Sequence, residues 1–131
     1  MGSYKDSFTD YQKENIFVDW NQETWTAHFK KHPILIDHKR TSELISESLL
    51  NPSVVFQTFK TCSQQTRIYY QQKEVIGNFQ VYFIKITVGF FENKWCVKTV
   101  YDEYSAIGLQ LKERKYKKVF KEIWNNQKNR L

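Results

Sequence analysis

The chain has 131 residues, 40% of them hydrophobic, 26% charged and 17% aromatic, and carries a formal net charge of +6. That length suits one domain, and an apolar fraction of this size can offset the entropy of ordering, so disorder, collagen-like repeats and low-complexity structure are excluded. No apolar run approaches the ~20 residues of a membrane span, and the N-terminal stretch holds no apolar signal core, so a cytoplasmic domain with no membrane partner is expected.

Residues 14–20 (ENIFVDW) read as a short strand or extended lead-in. Asn21 is a good capping residue, and a helix is predicted from there to about Lys31. Trp25, His28, Phe29 and His32 stand at i, i+3, i+4 and i+7, on one helical face. Pro33 disfavours helical backbone at His32 and ends the segment. A second helix is predicted from Thr41 or Ser42 to Leu50, with Ser42 as its cap and Leu44, Ile45, Ser48 and Leu49 as its inner stripe. Asn51-Pro52 stops it.

The period then shortens to two. The runs 53–60, 66–72, 79–91 and 94–101 are rich in β-branched and aromatic residues, with turn-like breaks at Gly77-Asn78 and Glu92-Asn93. In the third run Tyr82, Ile84, Ile86 and Val88 suit a core, while Lys85 and Thr87 mark the other, partly open face. After Gly108 a last helix is predicted over about 109–126, where Tyr116, Val119, Phe120, Ile123 and Trp124 form an apolar stripe among lysines. The expected fold is therefore α+β in a single domain over 1–131, with a core at about 14–104. It has two N-terminal helices, a four-stranded antiparallel sheet and a C-terminal basic amphipathic helix.

The charge is concentrated. Residues 1–50 carry six Lys/Arg against eight Asp/Glu, whereas residues 112–131 carry eight against two. Such a field draws polyanions, so Lys98, Lys112, Arg114, Lys115, Lys117, Lys118 and Lys121 are candidate nucleic-acid contacts. Cys62 and Cys96 fall in no metal spacing, and two isolated thiols are the preferred reading over a disulfide between them. His28 and His32 have a spacing that lets two imidazoles share one metal, with His38 or Asp37 as a third ligand, but His28 is not followed by the Glu of a zinc protease. Packing is the preferred reading of that face, and neither a metal nor another cofactor is expected. Glycine loops for phosphates and G-x-S-x-G elbows are missing from the sequence.

Cationic and hydroxyl residues recur on the predicted strands: Arg67, Tyr69, Tyr70, Lys85, Lys98, Thr99 and Tyr101. Alternate residues share a face, so Arg67 with Tyr69, Lys85 with Thr87, and Thr99 with Tyr101 line one surface if the registers agree. RNA cleavage by its own 2′-OH needs a base, an acid for the leaving oxygen and cations around the phosphorane, and these side chains with His28 or His32 are sufficient for it.

The order Trp25-x2-His28, His32-Pro33, a helix ending Leu49-Leu50-Asn51-Pro52, then Arg67-Ile68-Tyr69-Tyr70, a long apolar strand and Lys98-Thr99-Val100-Tyr101 resembles the phage-type nucleases of the barnase–EndoU–colicin–RelE-like (BECR) group over about residues 25–104. The resemblance implies an α+β fold whose sheet cuts RNA without metal, with His32, Arg67, Tyr70, Thr99 and Tyr101 in the active site. To these the residue chemistry adds His28 and Lys85. The chain departs from the group's pattern where Ile34 follows His32-Pro33 in place of an acidic residue, and in the basic segment after Gly108. The resulting expectation is a toxin-like or phage/mobile-element endoribonuclease, with RNA and a cognate inhibitor or antitoxin protein as partners. The alternative is a non-catalytic nucleic-acid- or protein-binding module using the basic C-terminal helix.

Overall fold

The structure is a computed structural model that describes residues 5–61, 63–75, 80–103 and 120–126. Two strands, β1 (Lys5–Thr9) and β2 (Asn15–Asp19), precede helix α1 (Gln22–Lys31), a 3-10 turn (Pro33–Leu35) and helix α2 (His38–Leu50). Then come β3 (Val54–Thr58), β4 (Thr66–Val75), β5 (Gln80–Phe91), β6 (Lys94–Glu103) and β7 (Phe120–Asn125). They form one seven-stranded sheet in the order β1-β2-β6-β5-β4-β3-β7.

The class is α+β as expected, but the four-stranded antiparallel sheet is corrected to a seven-stranded mixed one. β2 runs parallel to β6, pairing Ile16 with Trp95 and Phe17 with Cys96, and β1 closes against β2 as a hairpin. The predicted C-terminal helix over 109–126 is corrected too. Its last part is β7, antiparallel to β3, while 104–119 lie outside the described residues. Lys112, Arg114, Lys115, Lys117 and Lys118 therefore also lie outside them, and Lys121 is exposed on β7. The misreading has a physical cause. Val55 pairs with Trp124 and Phe56 with Glu122, so Ile123 is an extra, bulged residue. A bulge turns two consecutive side chains to one side, and both Ile123 and Trp124 pack against the helix-side core. Phe120, Ile123 and Trp124 thus acquire helical spacing inside a strand.

Both helices form where capping and periodicity direct them. The Asn21 side chain accepts from the Thr24 amide at 3.1 Å, and Asp37 caps α2 by accepting from the Arg40 amide at 2.9 Å. The cap is Asp37 and not Ser42, so α2 begins at His38, three residues before Thr41. Thr41, Leu44, Ile45, Ser48 and Leu49 are the buried stripe of α2. They meet Ile16, Val18, Val55, Tyr69, Ile84, Ile86, Val88 and Val100 on the helix side of the sheet. Each fully buried aliphatic there contributes about 1.5–3 kcal/mol. The opposite face carries a second cluster of Val54, Phe56, Ile68, Tyr70 and Phe83, with Phe120 against it. The β5–β6 hairpin turns through Glu92 and Asn93, both at positive φ (52° and 63°), the backbone that a two-residue hairpin of matching twist requires. No helix among the described residues is long and apolar enough to cross a membrane.

Candidate active site

Sheet register decides which candidates meet. Tyr70 pairs with Lys85 and Lys85 with Tyr101, while Thr87 pairs with Thr99, so these five share the face opposite the helices. Arg67 pairs with Val88 and lies on the helix side with Tyr69. The expected common surface of Arg67, Lys85 and Tyr101 is thus split between two faces.

Arg67 is enclosed there. Its Nε donates to Gln57 at 2.8 Å, and its guanidinium bonds Tyr69 at 3.0 Å and reaches Asp10 and Glu14 at 3.3 Å. The Trp95 ring lies 4.4 Å from its centre. Asp10, itself buried, also accepts from the Tyr69 hydroxyl at 2.7 Å and from the Gln12 and Glu14 amides at 2.9 Å. Burial pushes the Tyr69 phenol well above its ordinary range and that of Tyr11 up to about 12. A guanidinium with every edge occupied is a structural cross-brace between the β1–β2 loop and β4.

Lys85, Tyr101 and the histidines do converge. β2 leaves β6 after Cys96, and beyond it α1 lies along the strand's outer edge. The ring Nε2 of His28 donates to the Val100 carbonyl, tying the helix to β6. A carbonyl accepts and never donates, so Nε2 carries a proton. One turn on, His32 lies 4.7 Å from the His28 ring and stacks on Tyr101 at 5.4 Å and 24°. Its Nδ1 is 3.6 Å from Asp102 Oδ1. That carboxylate favours a proton on Nδ1, leaving Nε2 basic. Burial and the neighbouring His28 hold the His32 imidazole below its ordinary value, and Asp102 offsets part of the shift.

Lys85 is 7% exposed, and its Nζ donates to the Tyr101 hydroxyl at 2.8 Å, with Glu103 Oε1 at 3.6 Å. Because that hydroxyl accepts from an ammonium, its own proton is free to point at a reactant. Tyr70 lies deeper. It is fully buried, its ring is 5.9 Å from Lys85 Nζ, and it packs edge-on against Phe56 and Phe83. It supports the lysine from below.

No family model, curated protein or solved structure matches the chain. Its site is therefore read from geometry. Asp102 and Glu103 escaped the sequence reading, although their position after Tyr101 and strand alternation place one beside each base. His38 is drawn off to Trp20, with ring centroids 4.2 Å apart. Among the described residues no three His, Cys, Asp or Glu side chains gather as a metal set.

Proposed function

We propose that the protein is a metal-independent endoribonuclease in which the 2′-OH of the substrate attacks the adjacent phosphorus. The observation that carries this reading is the stack of neutral-leaning His32 on Tyr101, whose hydroxyl is held by buried Lys85. His32 Nε2 takes the 2′-hydroxyl proton as the O2′–P bond forms. Tyr101 gives its proton to the departing O5′ as the P–O5′ bond breaks, and the Lys85 ammonium stabilises the phenolate left behind. The products are a 2′,3′-cyclic phosphate and a 5′-hydroxyl. Thr99, on the same face, donates to a non-bridging oxygen in this reading. His28, its Nε2 proton committed to Val100, ties α1 to β6 and so holds the neighbouring His32 against Tyr101.

The reading is tested on a DNA oligonucleotide carrying one ribonucleotide. Cleavage is expected at that residue and nowhere else, with His32→Ala and Tyr101→Phe each slowing the step by about 10²–10⁴-fold. Unchanged rates in both folded variants reject the assignment.

A further inference from the structure

Where β2 departs from β6, a recess of about 210 Å³ opens between α1 and the strand, lined by Asn21, Thr24, Trp25, His28, Lys98 and Thr99, with Asp19 and Val97 completing it. We infer that this recess receives one unpaired ribonucleotide, with Lys98 on its phosphate, so that the substrate is single-stranded RNA. The inference rests on the RNA-cleaving reading of the neighbouring site and names where its substrate sits.

Size comes first. The recess is smaller than the ~300–1,000 Å³ of pockets that enclose drug-sized ligands, a size that suits one nucleoside. A base must be out of a duplex to enter. The wall chemistry suits one. The Trp25 ring is fixed because its Nε1 donates to the Asp19 carbonyl at 3.0 Å. Asn21 Oδ1 is used by the Thr24 amide, which leaves its amide hydrogens to face a base or ribose. Asp19 is the acidic residue in the lining, and it repels phosphate toward the Lys98–Thr99 end.

Lys98 is placed by the fold. Thr87 pairs with Thr99 but Val88 with Val97, so Lys98 is the extra residue of a β-bulge. Bulges re-aim side chains beside active sites. Its stem lies across Gly89 of β5, where an added methyl would meet Cε and Nζ and move that flexible end. The lysine is exposed and makes no ion pair among the described residues. Its strand neighbour Thr99 shares the reaction face, and His28 joins the recess to His32. A nucleotide seated there delivers its phosphate to the catalytic stack.

The test compares one labelled oligoribonucleotide, alone and annealed to a 2′-O-methyl complement, with wild type, Lys98→Ala, Gly89→Ala and the double variant. Anisotropy of a 2′-O-methyl single strand reads binding without cleavage. Single strands are expected to be cut at least tenfold faster than the duplex. Lys98→Ala should raise KM about fivefold, the size of one partly screened charge contact, with kcat kept. It should also reduce the salt slope of binding by about 0.7, one phosphate's share on a single strand. Gly89→Ala, which displaces the flexible end of that lysine, should change KM in the wild-type background and add nothing in the Lys98→Ala background. Equal cutting of the duplex, or unchanged KM, affinity and salt slope in Lys98→Ala, overturns the recess. Absence of cleavage by wild type, with the 2′-O-methyl strand still bound through Lys98, overturns the catalytic reading instead.

Discussion

Replacing Arg67 by methionine keeps most of the stem's length and removes the guanidinium. In the structure this deletes the hydrogen bonds to Gln57 and Tyr69, the contacts to Asp10 and Glu14 and the stacking on Trp95. Asp10, 1% exposed, is left with the Tyr69 hydroxyl and two backbone amides but no countercharge. Breaking a buried pair from one side costs about 3–5 kcal/mol, because the remaining charge stays desolvated. Glu14 is partly solvated and adds little to that figure. For a domain of this size the loss corresponds to a Tm lower by roughly 10–20 °C. Urea and thermal unfolding of Arg67→Met, Asp10→Asn and the double variant would measure it. The double variant should recover part of the loss, since it no longer buries an uncompensated carboxylate. Assayed well below its Tm, Arg67→Met should still cleave RNA, because the guanidinium is on the helix-side face. A Tm within about 2 °C of wild type, or a folded variant that is inactive, refutes the assignment of Arg67 to the scaffold.

Four further outcomes are expected. The His32 imidazole is held below its ordinary value, so the acid limb of kcat/KM should fall below pH 6.5, the ordinary imidazole value, with activity lost as His32 protonates on going down in pH. A limb above that pH in wild type contradicts the base assignment. The same depression means that the folded state loses stability as pH drops below the unfolded imidazole value, which pH-dependent denaturation would read. Ile36 is 68% exposed at φ 61° and ψ −72°, with the Asp37 amide donating to the Leu35 carbonyl at 2.7 Å. That is the rarer, strained hand of γ-turn, so Ile36→Gly should raise stability by about 0.5–1 kcal/mol after the entropy of glycine is deducted; a loss of stability by urea unfolding refutes the strain. Trp124 packs 5.0 Å from Tyr11 and donates to the Pro52 carbonyl at 3.2 Å. Trp124→Ala should cost about 2–3 kcal/mol by urea unfolding, whereas on a solvated basic helix it would cost about 0.5 or less.

Local signals carried much of this architecture. The α2 stripe obeys the helical period, β4, β5 and β6 are dense in β-branched and aromatic residues, and Glu92-Asn93 marks its own hairpin. β1 was illegible because Phe8 is its single large apolar residue, and its pairing with β2 supplies what its composition does not. β7 was illegible because its bulge imitates a helix. Among the site residues, Lys85 with Thr87 and Thr99 with Tyr101 were readable as same-face pairs by alternation within each strand. Alternation cannot say which face of β4 meets which face of β5. That register is set by long-range pairing, and it carried Arg67 to the other side. The same limit hid the recess, since it depends on a parallel contact between β2 and β6 that ends after two residues.

The proposed cleavage depends on the His32–Tyr101–Lys85 stack. The most direct measurement is to incubate folded protein with total RNA in excess EDTA and to identify the new ends. The expected ends are 2′,3′-cyclic phosphates and 5′-hydroxyls, lost in His32→Ala and in Tyr101→Phe. Intact RNA, or 5′-phosphate ends, would contradict the proposed cleavage.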